Sequence, residues 1–423
     1  MKYALKLLEE LKVKSMSYEG VYRELYDELK GWSPQQVNQE REGDIDVIDF
    51  FSGCGGMSFG FSSLSQRFPV FNLKGAIDIN EIALSSYNKN FNTKVFVEDI
   101  RNLIDDYSIT EFRELFGLST EKRKPLVVIG CAPCQGFTSH KKKTWNIEDE
   151  RNTLIGAFAD IATKLDPDYV VMENVPEILG KKYWHHYAEA RDVFENSGYE
   201  VKQTIYNCAD FGTPQSRFRA IVVASKKAFE LPPPAFQKSE HVTVRNAISD
   251  LPFVKAGQIL AADKYHKSAR HKESTIMTIK SVPHNGGNRP QGIGPKCLDK
   301  VSGFSDVYGR LYWDKPSITL TQYARNPASG RFTHPEQDRG LTIREAARIQ
   351  GFPDGYEFQG SLDKCFKQIG ESVPPQLSLA IAFQILLTES SFQTPMSELK
   401  TITVNEPVSS SFSSVIASLK AGI

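Results

Sequence analysis

The fold is decided by the stretch IDVIDFFSGCGGMSFGF at residues 45–61, where an apolar run passes directly into a glycine-rich turn. Its first seven residues do not alternate strictly between polar and apolar, which is typical of a strand covered on both faces of a parallel sheet. Gly53, Gly55 and Gly56 would let backbone amides approach a ligand closely at the start of a helix. The stretch therefore predicts a strand, a ligand-binding loop and a helix in succession.

Further apolar runs, separated by stretches of helical character, follow downstream. They are LKGAIDI (73–79), PLVVIG (125–130), DYVVMEN (168–174) and RAIVVAS (219–225). Strands that alternate with helices predict an α/β fold with a mostly parallel sheet and helices on both faces. Because ligands of such sheets bind at the carboxyl ends of the strands, Asp78, Cys131–Gln135, Glu173 and Asn174 are candidate site residues.

Changes in composition divide the chain into five segments. We predict a helical N-terminal extension (1–43), a large α/β domain (44–234), a smaller irregular domain (235–342), a hinge that returns to the α/β domain (343–389) and a flexible tail (390–423), in which ITV (402–404) could form a brief strand. The extension either only packs or is a regulatory arm that binds DNA.

Charge and composition narrow the class of protein. The chain has 51 basic and 51 acidic residues, but residues 241–340 carry 15 lysines and arginines against 8 aspartates and glutamates, an excess that could grip phosphates. No run approaches the roughly 18 apolar residues of a membrane helix, and acidic residues interrupt the start where a secretory signal would be apolar. The six cysteines lack framework spacing. We therefore expect a cytoplasmic protein with reduced thiols and no membrane contact.

Cys134 stands in GCAPCQGFT, after a predicted buried strand and before a long charged loop of the kind that is usually functional. Its C-x-x-C spacing with Cys131 admits a zinc or dithiol site. No second pair of ligands stands at zinc spacing, and Pro133 and Gly136 are loop residues where a thioredoxin-like motif would begin a helix. We favour a nucleophilic cysteine, while the zinc and dithiol interpretations stay open.

Glu173 supports the nucleophilic interpretation of Cys134. This glutamate also ends a strand, and because an unpaired buried carboxylate is costly it should face a pocket with a raised pKa and donate to a ring nitrogen. Arg217 and Arg219, in QSRFR before another strand, would add fixed donors on the same rim, unless they simply pair with surface carboxylates.

Asp78 ends the second predicted strand, 22 residues after Gly56. This position suits a carboxylate that accepts the ribose hydroxyls of a nucleoside, although a plain helix N-cap would look the same. Ser58 stands where a dinucleotide fingerprint needs its third glycine, which disfavours a Rossmann dehydrogenase.

The motifs follow one another in a familiar order. They are DFFSGCGG (49–56), Asp78, VEDI (97–100), APCQGF (132–137), MENV (172–175), QSRFR (215–219), REAARIQGFPD (344–354) and QIGESVPP (368–375). In this order they resemble the bacterial DNA (cytosine-5)-methyltransferase family, from about residue 45 to about residue 385. The resemblance implies a Rossmann-like S-adenosylmethionine-dependent methyltransferase fold, with a catalytic domain at 44–234 and a target-recognition domain at 235–342.

The resemblance also implies the reaction and its residues. The Cys134 thiolate adds to C6 of a cytosine flipped out of duplex DNA, Glu173 protonates N3, and Arg219, with Arg217 on the same rim, contacts the O2 side. The methyl donor is S-adenosylmethionine, and no metal takes part. The positions that match the family's cofactor contacts are Phe51, Gly53, Gly55, Gly56, Asp78, Ile79, Asp99, Ile100, Leu154, Val175, Ser372 and Val373.

For DNA, the resemblance implies a loop from Gln135 to about Arg151 that closes over the flipped base. Lys141, Lys142 and Lys143 would contact phosphates there, or form only a solvated charge run. Thr319 and Leu320 match the element beside the flipped nucleotide.

Three residues depart from the family pattern: Asp78 replaces a commoner glutamate, Cys131 a glycine, and Glu371 an asparagine beside the cofactor. The carboxylate of Glu371 could alter cofactor affinity. Two rival functions stay open: a tRNA cytosine-5 methyltransferase of the same fold, whose Cys-Phe-Thr signature is missing here, and a non-catalytic DNA-binding member. The resemblance further implies a nucleoid-associated monomer in a prokaryotic or phage setting, and leaves open a cognate restriction endonuclease that acts on the same sequence.

Overall fold

The computed structural model describes residues 1–11, 13–34, 43–118, 123–133, 153–299, 306–392, 399, 401 and 403–408. Its centre is a seven-stranded sheet in the order β3-β2-β1-β4-β5-β7-β6. The strands are β1 (Ile45–Phe50), β2 (Phe71–Asp78), β3 (Val95–Val97), β4 (Leu126–Gly130), β5 (Tyr169–Asn174), β6 (Glu200–Asn207) and β7 (Phe218–Ser225). Strands β1 to β5 are parallel, and β7 runs antiparallel to both β5 and β6. The predicted mostly parallel sheet is confirmed, and each apolar run forms a strand.

Helices cover both faces of the sheet. They are α1 (Lys2–Glu10), α2 (Tyr18–Leu29), α3 (Gly56–Leu64), α4 (Glu81–Phe91), α5 (Ile100–Asp106), α6 (Ile109–Leu115), α7 (Leu154–Lys164), α8 (Trp184–Asn196), α9 (Val244–Ile248), α10 (Glu273–Lys280), α11 (Ile343–Gln350), α12 (Leu362–Glu371) and α13 (Pro375–Ser390). Within the described residues, none of these is long and apolar enough to cross a membrane.

Neighbouring residues of the central strands supply two separate cores, because side chains of a strand point alternately to its two faces. Val47 of β1 belongs to the core that α1 to α4 and α11 to α13 share. Ile48, the next residue, belongs to the core under α5 to α8. The helix α13 is buried along most of its length, as its apolar sequence predicts, and lies within the first core.

The N-terminal helices are part of that first core. The buried Tyr22 hydroxyl lies 2.7 Å from the Gln376 carbonyl of α13 and 3.0 Å from the Phe211 carbonyl. Asp44, just before β1, accepts the backbone N–H groups of Tyr3 and Ala4 at 2.6 and 2.8 Å and so stabilises the start of α1. The described part of the extension therefore packs on the α/β domain, as the first of its two predicted alternatives requires.

The second domain is held together by buried arginines as much as by apolar side chains. It contains a short hairpin of β8 (Ile259–Leu260) and β9 (Asp263–Lys267) and a small core around Ile279 and Val282. Arg310, fully buried, donates to the Val282, Ile279 and His334 carbonyls at 3.0 to 3.1 Å. A delocalised cation with many donors can thus organise irregular backbone that few apolar residues cover.

The prediction of a flexible tail is wrong for residues 403–408. Thr403 pairs with Thr204 of the edge strand β6, which agrees with a brief strand at this point. Val404 is buried in the second core. An edge strand leaves backbone groups unpaired, and this segment satisfies part of that edge.

The contact of Tyr22 with α13 tests whether the N-terminal helices share the stability of the domain. We expect Tyr22→Phe to lower the free energy of unfolding by about 1–2 kcal/mol, since it leaves buried carbonyls without their donor. Urea unfolding followed by circular dichroism measures this, with Tyr312→Phe, at a partly exposed ring, as the control. An unchanged midpoint, or a separate early transition for the N-terminal helices, would contradict the prediction.

Candidate active site

The glycine-rich turn lies at the carboxyl end of β1 in strained backbone. Phe51, Gly53 and Gly55 have positive φ angles of 53°, 52° and 95°, which glycine adopts freely and phenylalanine rarely. A Cβ on Gly55 would clash with the Tyr87 and Phe91 rings, and one on Gly56 with Ser372 and Val373. Positions 55 and 56 of the turn therefore leave no room for a side chain.

Asp78 connects this turn to the next helix. One carboxylate oxygen accepts the Gly53 N–H at 2.8 Å, and the other accepts the Asn80 N–H at 2.8 Å. The N-cap of α4 is Asn80, whose side chain accepts the Ala83 N–H. Asp78 is therefore not the N-cap, and burial raises the pKa of its carboxyl. The adjacent Ile79 side chain is 70% exposed at this edge.

A buried polar network lies beneath the turn. Asp49, with no exposed surface, accepts the Ser58 hydroxyl at 2.6 Å, and Ser58 lies 2.7 Å from the Tyr87 hydroxyl. Burial, opposed by the Ser58 hydrogen bond and reinforced by Asp78, raises the pKa of Asp49 to about 8. Among the described residues, the second Asp49 oxygen and the buried Ser52 hydroxyl have no hydrogen-bond partner. These orphaned groups and the open space beside Gly53 fit a polar ligand at this turn.

The junction of α12 and α13 forms the opposite wall of the turn. Ser372 and Val373 pack against Gly56, and the Cys54 thiol lies 3.7 Å from the Ser372 hydroxyl. Glu371, the unusual carboxylate, ends α12, and burial and the nearby Asp78 raise its pKa while Lys367 opposes the shift. It thus lies on the side of the predicted cofactor residues.

The remaining predicted cofactor residues come from the second core face. Ile100, Leu154 and Val175 are buried together in that core. Asp99 caps α5 and forms an ion pair of 2.6 Å with Arg101, which lowers its pKa. Because the Asp99 carboxylate already pairs with Arg101, a ligand would meet an acceptor whose position is fixed.

Glu173 and Arg219 form a buried ion pair between β5 and β7. Arg219 lies two residues from Ile221, the antiparallel partner of Glu173, so both side chains point to one face. The Arg219 Nε lies 2.6 Å from Glu173 Oε1, with side chains 11% and 10% exposed. Burial raises the pKa of Glu173, although Arg219 and Arg217 favour its charged form. The carboxyl can therefore hold or release a proton.

Arg217 has a different position from the predicted rim donor. It is 2% exposed and donates to the Leu320 carbonyl at 2.9 Å, the Gly370 carbonyl at 2.9 Å and the Ser372 carbonyl at 3.2 Å. These contacts join the second domain to the end of α12. The role of Arg217 as a catalytic donor beside Arg219 stays a prediction, and in the structure its guanidinium binds these backbone carbonyls.

Thr319 and Leu320 lie in the same network. Thr319 donates to the Ser216 carbonyl at 3.1 Å, and the Leu320 N–H donates to the Gln215 side chain at 2.8 Å. Leu320 has no exposed surface, so its side chain is packed in the core and does not face a DNA surface. The predicted DNA contact at this element would have to come from residues beside Leu320.

Sequence reasoning named Asn174 only as a candidate and gave Gln215 and Gln350 no individual role. Asn174 donates to the Ala132 carbonyl at 3.2 Å and so holds the segment that leads to Cys134. Gln215 donates to Gln350 at 2.7 Å, and Gln350 donates to the Ser372 carbonyl at 2.6 Å. The sequence signal that could have identified these residues is a polar side chain at the end of a buried strand. Of the three, only Asn174 has that position.

Several predicted residues lie outside the described part of the chain: Cys134, Gln135, Lys141, Lys142 and Lys143. Cys131 is described, and burial and the nearby Glu173 raise the pKa of its thiol. Among the described residues, no group of three or more histidine, cysteine, aspartate or glutamate side chains could hold a metal ion.

A parallel sheet with a single antiparallel strand, β7, inserted between β5 and β6, a glycine turn after β1 and a carboxylate at the end of β2 define the class of Rossmann-like methyltransferases. A family model for C-5 cytosine-specific DNA methylases matches residues 45–387. The chain therefore belongs to the C-5 cytosine-specific DNA methylase family, and it is a DNA cytosine-5 methyltransferase.

Individual relatives agree with this assignment. The chain is 33% identical over 350 residues to the type II methylase M.HgiDII of Herpetosiphon aurantiacus, covering 80% of this chain and 94% of that protein. It is 34% identical over 345 residues to the type II methyltransferase M1.HphI of Haemophilus parahaemolyticus, covering 81% and 87%. A crystal structure described as a DNA modification methyltransferase encoded within an E. coli prophage shares the fold, with a TM-score of 0.64 and 23% identity over 82% of this chain and 99% of that one.

Asp49→Asn tests whether the buried carboxyl beneath the turn is protonated. Because the folded-state pKa of about 8 exceeds the unfolded value of 3.8, its contribution to stability is fully present below the unfolded pKa and is lost as pH rises through 8. We expect the wild type to lose up to about 1.4 kcal/mol of unfolding free energy per pH unit across this window, relative to Asp49→Asn. Urea unfolding at a series of pH values measures the difference, with the exposed Asp192→Asn as control; parallel pH slopes for wild type and Asp49→Asn would refute it.

Proposed function

We propose that this enzyme transfers a methyl group from S-adenosylmethionine to C5 of a cytosine flipped out of a specific duplex DNA sequence, through a covalent bond between Cys134 and C6. The observation that carries the proposal is the buried Glu173–Arg219 pair, 2.6 Å apart. It lies at the strand end next to β4, the strand that leads to Cys134. An acid and a fixed cation beside a nucleophile match the needs of a pyrimidine ring that must accept a thiolate.

The turn after β1 is the proposed site of S-adenosylmethionine. Phe51, Gly53, Gly55 and Gly56 would face its amino-acid part, Asp78 its ribose hydroxyls, and Asp99 and Ile100 its adenine, with the exposed Ile79 beside them. When bound, this cofactor supplies an electrophilic methyl group on a sulfonium ion. The orphaned Ser52 hydroxyl and the raised pKa of Asp78 support a polar ligand there, since both groups gain hydrogen-bonding partners from it.

The chain's own residues then divide the chemistry. The Cys134 thiolate forms a bond to C6, and Glu173 gives a proton to N3, so that the electron pair gathers at C5, which becomes nucleophilic. Arg219 donates to the O2 side and neutralises developing charge. Once C5 carries the methyl group, water accepts the C5 proton, the C5–C6 double bond re-forms as the bond from C6 to the Cys134 sulfur breaks, and N3 returns its proton to Glu173. Asn174 supports this sequence because it fixes Ala132, two residues before the nucleophile.

DNA recognition would fall to the second domain and to the loop after Cys134. Lys141, Lys142 and Lys143 are the proposed phosphate contacts, and Gln135 would contact the target nucleotide. Residues next to the anchored Thr319–Leu320 element would contact the flipped nucleotide. Because the relatives are named type II methyltransferases, we extend the proposal to a monomeric, nucleoid-associated modification enzyme that protects DNA from a cognate restriction endonuclease.

Bisulfite sequencing of DNA from cells that express the protein tests the substrate and reports the modified base and its sequence context together. We expect 5-methylcytosine at one short recurring sequence. If parallel assays show that tRNA is methylated and duplex DNA is not, the substrate is RNA. Tight DNA binding without methylation would assign a non-catalytic role.

Glu173→Gln should lower kcat by at least about 100-fold, because the amide cannot give a proton to N3. Binding of S-adenosylmethionine, measured by calorimetry, should stay within a factor of about two, since Glu173 faces the cytosine and not the cofactor. The control is Glu200→Gln, at an exposed position of β6. A variant at Glu173 with the wild-type rate would remove this residue from the reaction.

Duplex DNA with 5-fluorocytosine at the target should trap the protein covalently in the presence of S-adenosylmethionine, because the C5 fluorine cannot leave as a proton does. Denaturing gels and mass spectrometry would place the adduct at Cys134, and Cys134→Ala should form none. Cys131→Ala should still form the adduct, which separates a nucleophile from a dithiol pair; Cys297→Ala, at an exposed cysteine, is the control. Full activity of Cys134→Ala would overturn the mechanism.

A further inference from the structure

Residues 403–408, which we call the C-terminal strap, contact the rest of the chain at two places, the edge strand β6 and residues 179–181. At its first end, the Val404 N–H donates to the Gln203 carbonyl at 3.1 Å, and the Gln203 side-chain amide donates to the Val404 carbonyl at 2.7 Å. Gln203 is buried, 4% exposed, and thus holds both backbone groups of Val404. The strap is therefore anchored on β6 by specific polar contacts.

The other end of the strap is hydrogen-bonded to residues 179–181, which follow β5 along the chain. The Val408 N–H donates to the Leu179 carbonyl at 3.0 Å, and the Lys181 N–H donates to the Val408 carbonyl at 3.1 Å. These two bonds form a parallel bridge between Val408 and Gly180. Val408 thus pairs with residues 179–181 as a residue of a neighbouring strand would.

The clamped residues continue directly from the catalytic edge of β5. A single 3₁₀ turn, Pro176–Leu179, separates them from Glu173, Asn174 and Val175. Ile178 donates its N–H to the Val175 carbonyl at 3.2 Å. Val404, Ile178 and Leu179 also share the core that contains Val175 and Leu154, two predicted cofactor contacts. The strap therefore bears on the cofactor side of the site through one rigid turn.

We propose that the C-terminal strap is a positioning element of the active site, which holds Val175 in place as a wall of the cofactor pocket by fixing residues 179–181. The inference rests on the proposed function, because it assigns Val175 to the S-adenosylmethionine site. The strap lies beyond residues 45–387, the part that the family model matches.

Val408→Pro tests the strap with a minimal change, since proline removes the N–H that reaches Leu179. Val408→Ala keeps both backbone bonds and is the matched control for the lost side chain. In the full-length enzyme we expect Val408→Pro to raise the KM for S-adenosylmethionine about fivefold, with kcat and the KM for DNA unchanged, and Val408→Ala to stay near wild type. Hydrogen exchange should become faster at the Lys181 amide in Val408→Pro alone.

The two readouts separate a positioning role from a structural one. Faster exchange at Lys181 with an unchanged KM for S-adenosylmethionine would overturn the proposal, because the clamp would then not reach the pocket. Equal effects of Val408→Pro and Val408→Ala would overturn it as well, since side-chain packing alone would explain them. A failure of the proposed function is recognised separately, because the wild-type enzyme itself would then neither bind S-adenosylmethionine nor methylate DNA.

Discussion

The buried guanidinium of Arg217 is the interaction on which the site depends. It precedes β7 and donates to one carbonyl of the second domain and two at the end of α12. A buried cation is stable only when its donors are satisfied, so all three segments must be in place together. Since Ser372, one of its partners, also packs against Gly56 of the glycine-rich turn, this turn and the segment around Leu320 share one support.

The carboxyl edge of the sheet gathers buried acids. Asp49, Asp78 and Glu173 come from three strands, and burial raises the pKa of each. Glu173 has a strong cationic partner in Arg219, and the other two rely on hydroxyl and backbone donors. Burial at this edge therefore shifts all three carboxyls toward their protonated form, the form from which a carboxyl can donate a proton.

The sequence predicted what depends on local pattern. The apolar runs predicted the strands, the glycines predicted the turn, and the strand that ends at Asn174 predicted a buried carboxyl at Glu173. It could not predict Gln203 or Arg217 in their actual roles, because their partners lie about 100 to 200 residues away and polar side chains carry no periodic signal. The prediction of a flexible tail was wrong for residues 403–408 for a similar reason: the polar composition indicated disorder, while these residues pair with an edge strand that only the folded sheet presents.

The basic excess of residues 241–340 has a different meaning once the side chains are placed. Arg310, Arg331 and Arg339 are at most 6% exposed and bind carbonyls and carboxylates of the protein itself, Arg339 by a two-pronged contact with Glu345 of α11, just beyond this segment. These charges cannot neutralise phosphates. The charges of this segment that are open to solvent belong to exposed side chains such as Lys272 and Lys280. The net charge of residues 241–340 therefore overstates the positive charge on their surface, and the buried arginines act instead by fixing the shape of this segment.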